Sequence, residues 1–538
     1  NVGGLVGYAS AGSITSSRAD GRVTGTEGST GYVGGVVGQF GAAGGMSTVE
    51  SYGIVSGGNY TGGVAGYYAS AGALNDAHTR GSSVSGNYMV GGLIGYAVPV
   101  VLTNSDTVAA VSGGSITGGA IGYAWGSGSL NNVVANGKVT GSDYVGGLIG
   151  FADNYSITGS RARGNVVALS GSVSAGGLVG YWGYYYYGPD TRQITNSHAE
   201  GNVTVDASNA QVGGLVGQGN SGSIAGSSAI GNVLYTNSLS PTSNNGQVGG
   251  LVGTFNGTTI SASTASGDVS GRGYVGGLVG QFNGTTLSGS SASGRVTGST
   301  YVGGLVGRFS GTSVSNSQAL GDVTGVSFVG GLIGYSSSTA AHSTVSASGN
   351  VNSSSYGGGL VGYLSGYGIT NGRASGNVTI SNGAYGGGLV GYAEANQGAA
   401  ATTGAGINDS SATGNVSGGN ATGGLVGFYD SRSGGSGVFD SHASGSVSGT
   451  GDVGGLIGRF NGNSTPSRDV FNSHATGHVN TQSRGGGLVG DYVGTKGITA
   501  SYATGDVTAS GTGTQQIGGL AGRYFFNNVG TGTAGLTQ

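Results

Sequence analysis

An all-β fold, a parallel β-solenoid of about 18 coils, is predicted by three features of the sequence. The block Gly-Gly-[Leu/Val/Ala]-[Val/Ile/Ala]-Gly recurs eighteen times, first at Gly3 and last at Gly518, with spacings of 27 to 37 residues. Between blocks, short β-branched segments alternate with clusters of Gly, Ser, Thr and Asn, the pattern of strands and turns. No stretch carries the apolar period of a helix. A unit this short cannot bury its own apolar side chains. Coils stacked in parallel register can, because each strand pairs with its copy in the next coil. At about 4.8 Å per coil the stack amounts to a rod of roughly 85 Å.

Each coil is expected to hold three short strands, as in the bare 27-residue unit GGLVGRF-SGT-SVSNSQA-LG-DVTGVSFV that begins at Gly303. In the first segment, seventeen of eighteen units place an aromatic at one of the two positions after the block. Tyr8, Tyr96, Tyr123, Tyr335 and Tyr363 take the first position, and Phe40, Phe255, Phe282, Phe309 and Phe460 the second. The exception continues Gln218-Gly219. Such a file either stiffens one face or forms a ligand-binding track. The other two segments follow [Ile/Val/Leu]-x-x-Ser-x-Ala-x-Gly-[Asn/Asp]-Val. Alternation turns Ser and Ala to a narrow interior and the variable residue between them, such as His198 or Gln318, to water. The slot after Gly accepts Asn, Asp, Arg22, Arg295 and Lys138, so it faces solvent.

Alternation through the block itself gives a sharper expectation. If Leu5 and Phe40 point inward, the residue between Leu and the last Gly points outward. Val6, Val37, Ile94, Ile149, Val179 and Val216 would then form an exposed apolar stripe, a basis for self-association into a filament or bundle. The competing expectation is a bulge at the block's last glycine that buries both residues.

Departures from the bare unit mark insertions near 181–193, 233–246 and 393–408. The first contains Trp182, Tyr184, Tyr185, Tyr186 and Tyr187, residues suited to stacking on sugars or to a protein interface. It reads as the candidate contact loop for a glycan or cell-surface ligand. A loop packed flat on the solenoid is the equal alternative.

Several classes of chemistry are excluded or unsupported. Twenty acids and 17 bases leave a net charge of −3, no footprint for nucleic acid. No apolar run is long enough for a transmembrane segment. The absence of cysteine removes disulfides, thiolate metal sites and thiol catalysis. Gly271-Arg-Gly273-Tyr-Val-Gly276 fits a dinucleotide fingerprint but lacks the strand–helix setting that phosphate binding needs. Six scattered histidines suggest no metal cluster, although His442 and His474 share one slot and should stack about 5 Å apart. Catalytic β-helices gather their charges in one groove, whereas here 37 charges read as thinly spread. No catalytic, cofactor-binding or metal-binding residue is assigned, and the chain is expected not to be an enzyme. A single Ser/Thr file (Thr24, Thr140, Ser270, Thr297, Thr324, Ser417) is too narrow for an ice-binding face.

The Gly-Leu-hydrophobic-Gly core within units of roughly 30 residues resembles the GLUG motif of bacterial surface proteins, including filamentous-haemagglutinin-like adhesins. The resemblance implies a right-handed β-helix, export to the cell surface or medium, and a structural or adhesive role. It carries no catalytic residues. The chain opens inside a repeat, at Asn1-Val-Gly-Gly, so residues 1–538 are expected to be one continuous array within a longer chain. A polysaccharide-acting β-helix enzyme and an ice- or mineral-binding solenoid are the alternatives.

Overall fold

The structure, a computed structural model, describes residues 1–26, 31–183, 192–236, 245–395, 406–431, 437–462 and 469–526. The chain forms two compact units. Unit 1 comprises Asn1–Arg272 with Leu278–Gln281, and unit 2 comprises Gly273–Gly277 with Phe282–Gln538. Both are parallel β-solenoids with one repeat per coil. In unit 1, Gly146 pairs with Gly176, Ala162 with Ala199 and Val139 with Val166. In unit 2, Gly303 pairs with Gly330, Ala319 with Ala347 and Val323 with Val351. Equivalent repeat positions therefore lie in files along each stack. The third predicted segment is divided, as in Val323–Gly325 and Val329–Gly330, because a bend at Val326, Ser327 and Phe328, the last with φ of 45°, interrupts it.

The block makes the tightest corner of the coil. Its bend falls between the strands Tyr301–Gly303 and Val306–Phe309. Here backbone packs directly on backbone. In the next coil, a Cβ on Gly330 would lie 1.9 Å from the Ile333 carbonyl oxygen, and one on Gly331 would lie 2.0 Å from that of Gly359. One on Gly334 would meet the Val302 nitrogen at 2.6 Å and the Gly307 oxygen at 2.7 Å. The glycines are required for space at this corner. Leu332 and Ile333 both donate to the Leu360 carbonyl, at 2.8 and 2.9 Å, and both side chains are fully buried.

The Ser-x-Ala segment supplies a second corner, turned by left-handed backbone. Asn196, Asn316, Asp440 and Asn472 have φ between 47° and 48°, and their equivalents in other coils lie between 42° and 58°. Asn and Asp adopt this region more readily than other side chains do. The serine that follows is buried and restores the hydrogen bonds lost at the turn. Ser410 N–H donates to Ser441 Oγ at 3.1 Å, and Ser441 N–H to Ser473 Oγ at 3.2 Å. Each hydroxyl donates in turn to a carbonyl two residues back, Ser441 to Phe439 at 2.6 Å and Ser473 to Phe471 at 2.8 Å. Serine faces inward as expected, and the ladder explains why it is serine.

A further ladder runs down the exposed slot after Gly. Asn165 Oδ1 accepts from the Asn202 N–H at 2.9 Å, and Asn202 Oδ1 from the Asn232 N–H at 2.8 Å. In unit 2, Asn350 and Asn377 repeat the arrangement.

Gly331→Ala, which places a methyl group against backbone, should destabilise unit 2 by about 3 kcal/mol or more. Thr324→Ala, on an exposed position, should be nearly neutral. Thermal unfolding with residue-level hydrogen exchange measures both.

Candidate functional site

The residues expected to form an apolar stripe are inside. Val37, Ile94, Ile149, Val179 and Val216 are fully buried, and Val6, in the first coil, is half-buried. Alternation fails because the chain bends before these residues and the glycine after them cannot carry a side chain. Paired positions run Val306–Ile333, Arg308–Tyr335 and Phe309–Ser336, passing over the glycine. Val306 and Phe309 thereby both face inward. This is the competing expectation of a glycine-reset alternation, with the bend itself at Gly304 and Leu305, ahead of that glycine.

Trp182 is also inside, fully buried, with its indole N–H donating to the Tyr155 carbonyl at 2.9 Å. It pairs in register with Gly219, the residue of the one unit that lacks an aromatic. A Cβ on Gly219 would touch Phe255 at 3.3 Å and Trp182 at 3.6 Å. The missing aromatic is thus the room that two neighbouring rings occupy. Trp182 belongs to the core and not to an exposed contact loop. Tyr184, Tyr185, Tyr186 and Tyr187, with most of the three insertions, lie outside the described residues.

The aromatic file divides in two. Rings at the second position stack in the interior, Phe282 on Phe309 at 5.1 Å and Phe460 on Tyr492 at 5.5 Å, within 11° of parallel. Most rings at the first position are half-buried on the outer face. In unit 1, Tyr96, Tyr123 and Phe151 follow one another at 5.4 and 4.9 Å. In unit 2, Tyr335, Tyr363 and Tyr392 stack at 5.3 and 4.8 Å. Where rings stack on one another, their faces are covered and their edges reach solvent. That favours stiffening over a sugar-stacking track. Burial first, then Glu394, whose carboxylate accepts from the hydroxyl at 2.8 Å, raises the pKa of Tyr363.

Charge is gathered onto files by the register, contrary to the thin spread expected. In unit 1 one outward file runs Arg18, Glu50, His78, Asp106, Val134, Arg161, His198 on successive coils. His78 lies between Asp76 at 2.8 Å and Asp106 at 2.5 Å, and Arg80 also pairs with Asp106. Arg161 and Arg163 share Glu200 at 3.3 and 3.4 Å. In unit 2, Asp452, Arg459, Arg484, Asp491 and Arg523 alternate in sign over three coils. Arg523 grips Asp491 with two bonds of 2.7 Å, which raises the guanidinium pKa. Residues some thirty apart in sequence become neighbours only once the register is known.

The histidines divide similarly. His442 and His474 stack at 5.0 Å, 4° from parallel, and Tyr502 continues the column at 4.9 Å. Among the described residues, no three or more His, Asp or Glu side chains are grouped to hold a metal ion. His342 instead occupies a core position. Its Nδ1 accepts from the Val314 N–H at 3.0 Å, and its Nε2 meets the Ser336 hydroxyl at 2.8 Å. Burial lowers its pKa from 6.5 to about 4.

Parallel coils, a glycine-built corner and files of outward side chains define a β-solenoid repeat protein. More particularly, it carries GLUG motifs: the family model of the GLUG motif matches three of its repeats, at residues 1–24, 141–167 and 298–324. No curated protein and no solved structure matches the chain. Among the described residues no helix is long and apolar enough to cross a membrane.

Two outcomes follow from these placements. Trp182→Ser should lower the unfolding midpoint, at a cost of about 3–5 kcal/mol, and remove the more blue-shifted part of the tryptophan emission. The remaining Trp125 is 45% exposed. For His342, the unfolded chain takes up a proton near pH 6.5, but the folded chain resists protonation down to about pH 4. Its contribution is complete above pH 6.5 and declines as pH falls toward 4, a loss of about 3 kcal/mol. The slope of stability against pH in that window should flatten in His342→Ile, as chemical denaturation across the window would show.

Proposed function

We propose that the chain is a non-catalytic structural and adhesive repeat protein, displayed on a bacterial surface or released from it, whose outward files contact glycans or cell surfaces. The carrying observation is the division of labour between interior and surface. Inward positions are held to Gly, Ser, Ala and apolar or aromatic side chains, with few exceptions, by close contact. Outward files change from coil to coil among aromatic, amide and charged side chains. A rigid scaffold with a variable exterior suits display and contact. With the Val and Ile residues of the block buried, the stripe expected to drive side-by-side assembly is not exposed among the described residues, so self-association is not part of this proposal.

A polysaccharide-acting enzyme is the second reading, favoured by the clustering of Asp76, His78 and Asp106 on one face. These groups are engaged with one another and with Arg80, which suits a structural or binding role better than proton transfer.

The purified chain should bind immobilised glycans or glycan-bearing cells and should leave soluble polysaccharides uncut. Surface-binding measurements run beside a reducing-end assay separate the two readings. Release of new reducing ends would favour the enzyme, and failure to bind any glycan surface would remove the adhesive part.

A further inference from the structure

We propose that a cleft above Val134, in unit 1, binds one carboxylated pyranose, a uronic acid unit of a glycan. The proposal rests on the adhesive reading and gives it a site. Val134 is the short apolar member of the file between Asp106 and Arg161, so the row of long polar side chains has a gap there. The gap opens into a cleft of about 280 Å³, lined by Asn104, Asp106, Asn132, Val134, Asn136 and Arg163. That volume is close to the lower bound of roughly 300 Å³ for small-ligand sites and suits a single sugar ring.

The lining is polarised. At one end Asp106 is already engaged by the His78 ring and the Arg80 guanidinium. At the other, Arg161 and Arg163 share the single carboxylate of Glu200, which leaves one positive charge in excess. Between them lie three amides. Asn132 Nδ2 donates to Asn104 Oδ1 at 3.0 Å, and Asn104 Nδ2 to Asn75 Oδ1 at 3.3 Å. This leaves the Asn132 carbonyl at the open end of the ladder. Arg163 donates one N–H to Asn136 Oδ1 at 3.0 Å, which orients the guanidinium while other N–H groups stay available. Planar amides that both donate and accept suit neighbouring ring hydroxyls. A guanidinium suits a carboxylate. Val134, at the floor, offers apolar contact to the C–H face of the ring. A neutral sugar would use the amides but not the excess charge.

The test is calorimetric or NMR titration of the whole chain with methyl glucuronoside and, separately, methyl glucoside. The expected result is saturable glucuronoside binding that weakens with added salt and by roughly tenfold in Arg163→Gln. The glucoside should bind the unaltered chain correspondingly less well. Asn132→Gly should also weaken binding, with an unchanged circular dichroism spectrum, since both side chains are exposed and glycine accepts the left-handed φ of 56° at residue 132. Equal affinity for the two sugars, binding indifferent to Arg163→Gln, or no saturable binding would each overturn the site. Glycan-surface adhesion that survives in Arg163→Gln would also overturn it while leaving the adhesive reading standing. Absence of adhesion by the unaltered chain would instead remove that reading.

Discussion

Direct contact of backbone with backbone at the Gly-Gly-Leu-Val-Gly corner is the constraint on which the rest of each unit depends. A Cβ on Gly331 would fall 2.0 Å from a carbonyl oxygen of the neighbouring coil, so the corner closes only around glycine. Once closed, it turns two successive side chains, such as Leu332 and Ile333, into the interior. It also brings the strands on either side near enough for Val, Ala and Ser to fill the space between them. The serine ladder then satisfies the backbone at the second corner, where left-handed residues interrupt ordinary pairing. Narrowness, small residues and exact stacking are one property seen at three places.

That constraint also shapes the surface. Because the register is fixed, a side chain's neighbours are its counterparts one coil away. A substitution in one repeat therefore alters a file and not an isolated spot. In unit 1 the same face carries Asp106 with its partners His78 and Arg80, a gap at Val134, and two arginines sharing one glutamate. In unit 2 the aromatic file of Tyr335, Tyr363 and Tyr392 belongs to the same repeat position that holds Arg459, Asp491 and Arg523 farther along the chain. The same scaffold presents stacked rings or alternating charges, and the interior changes with it: Ser336, Leu364 and Ala393 lie inward beside the outer rings, whereas Phe460 and Tyr492 lie inward beside the charges.

Much of the fold was legible in the sequence because the interior constraint repeats: the block spacing, the small Ser and Ala positions and the exposed slot after Gly all read correctly. The block's Val and Ile did not, since alternation assumes a straight strand and the bend at the glycines breaks it. Trp182 was misleading because its sequence neighbours are tyrosines, whereas its spatial neighbours are Gly219 and Phe255. The charged file was hidden for a different reason. Its members are dispersed in sequence, and only the pairing of His78 with Asp106, and of Arg161 with His198, brings them together. A signal was present: the middle residue of each Ser-x-Ala position, read as a column through degenerate copies such as Ala77-His78-Thr79 and Ser105-Asp106-Thr107, shows the same charges.

The most direct test is a distance between equivalent positions far apart in sequence. Thr297 and Thr508 are both in unit 2 and on one outward file, linked through Thr324, Asn352, Thr379, Ser417, Ser448 and Asn480. Spin labels attached through cysteines at these two sites should give a narrow distance distribution in pulsed electron paramagnetic resonance. Coil steps of about 4.8 Å place it near 34 Å. A broad distribution, or a maximum displaced by more than the reach of the labels, would contradict a stack of one repeat per coil in fixed register.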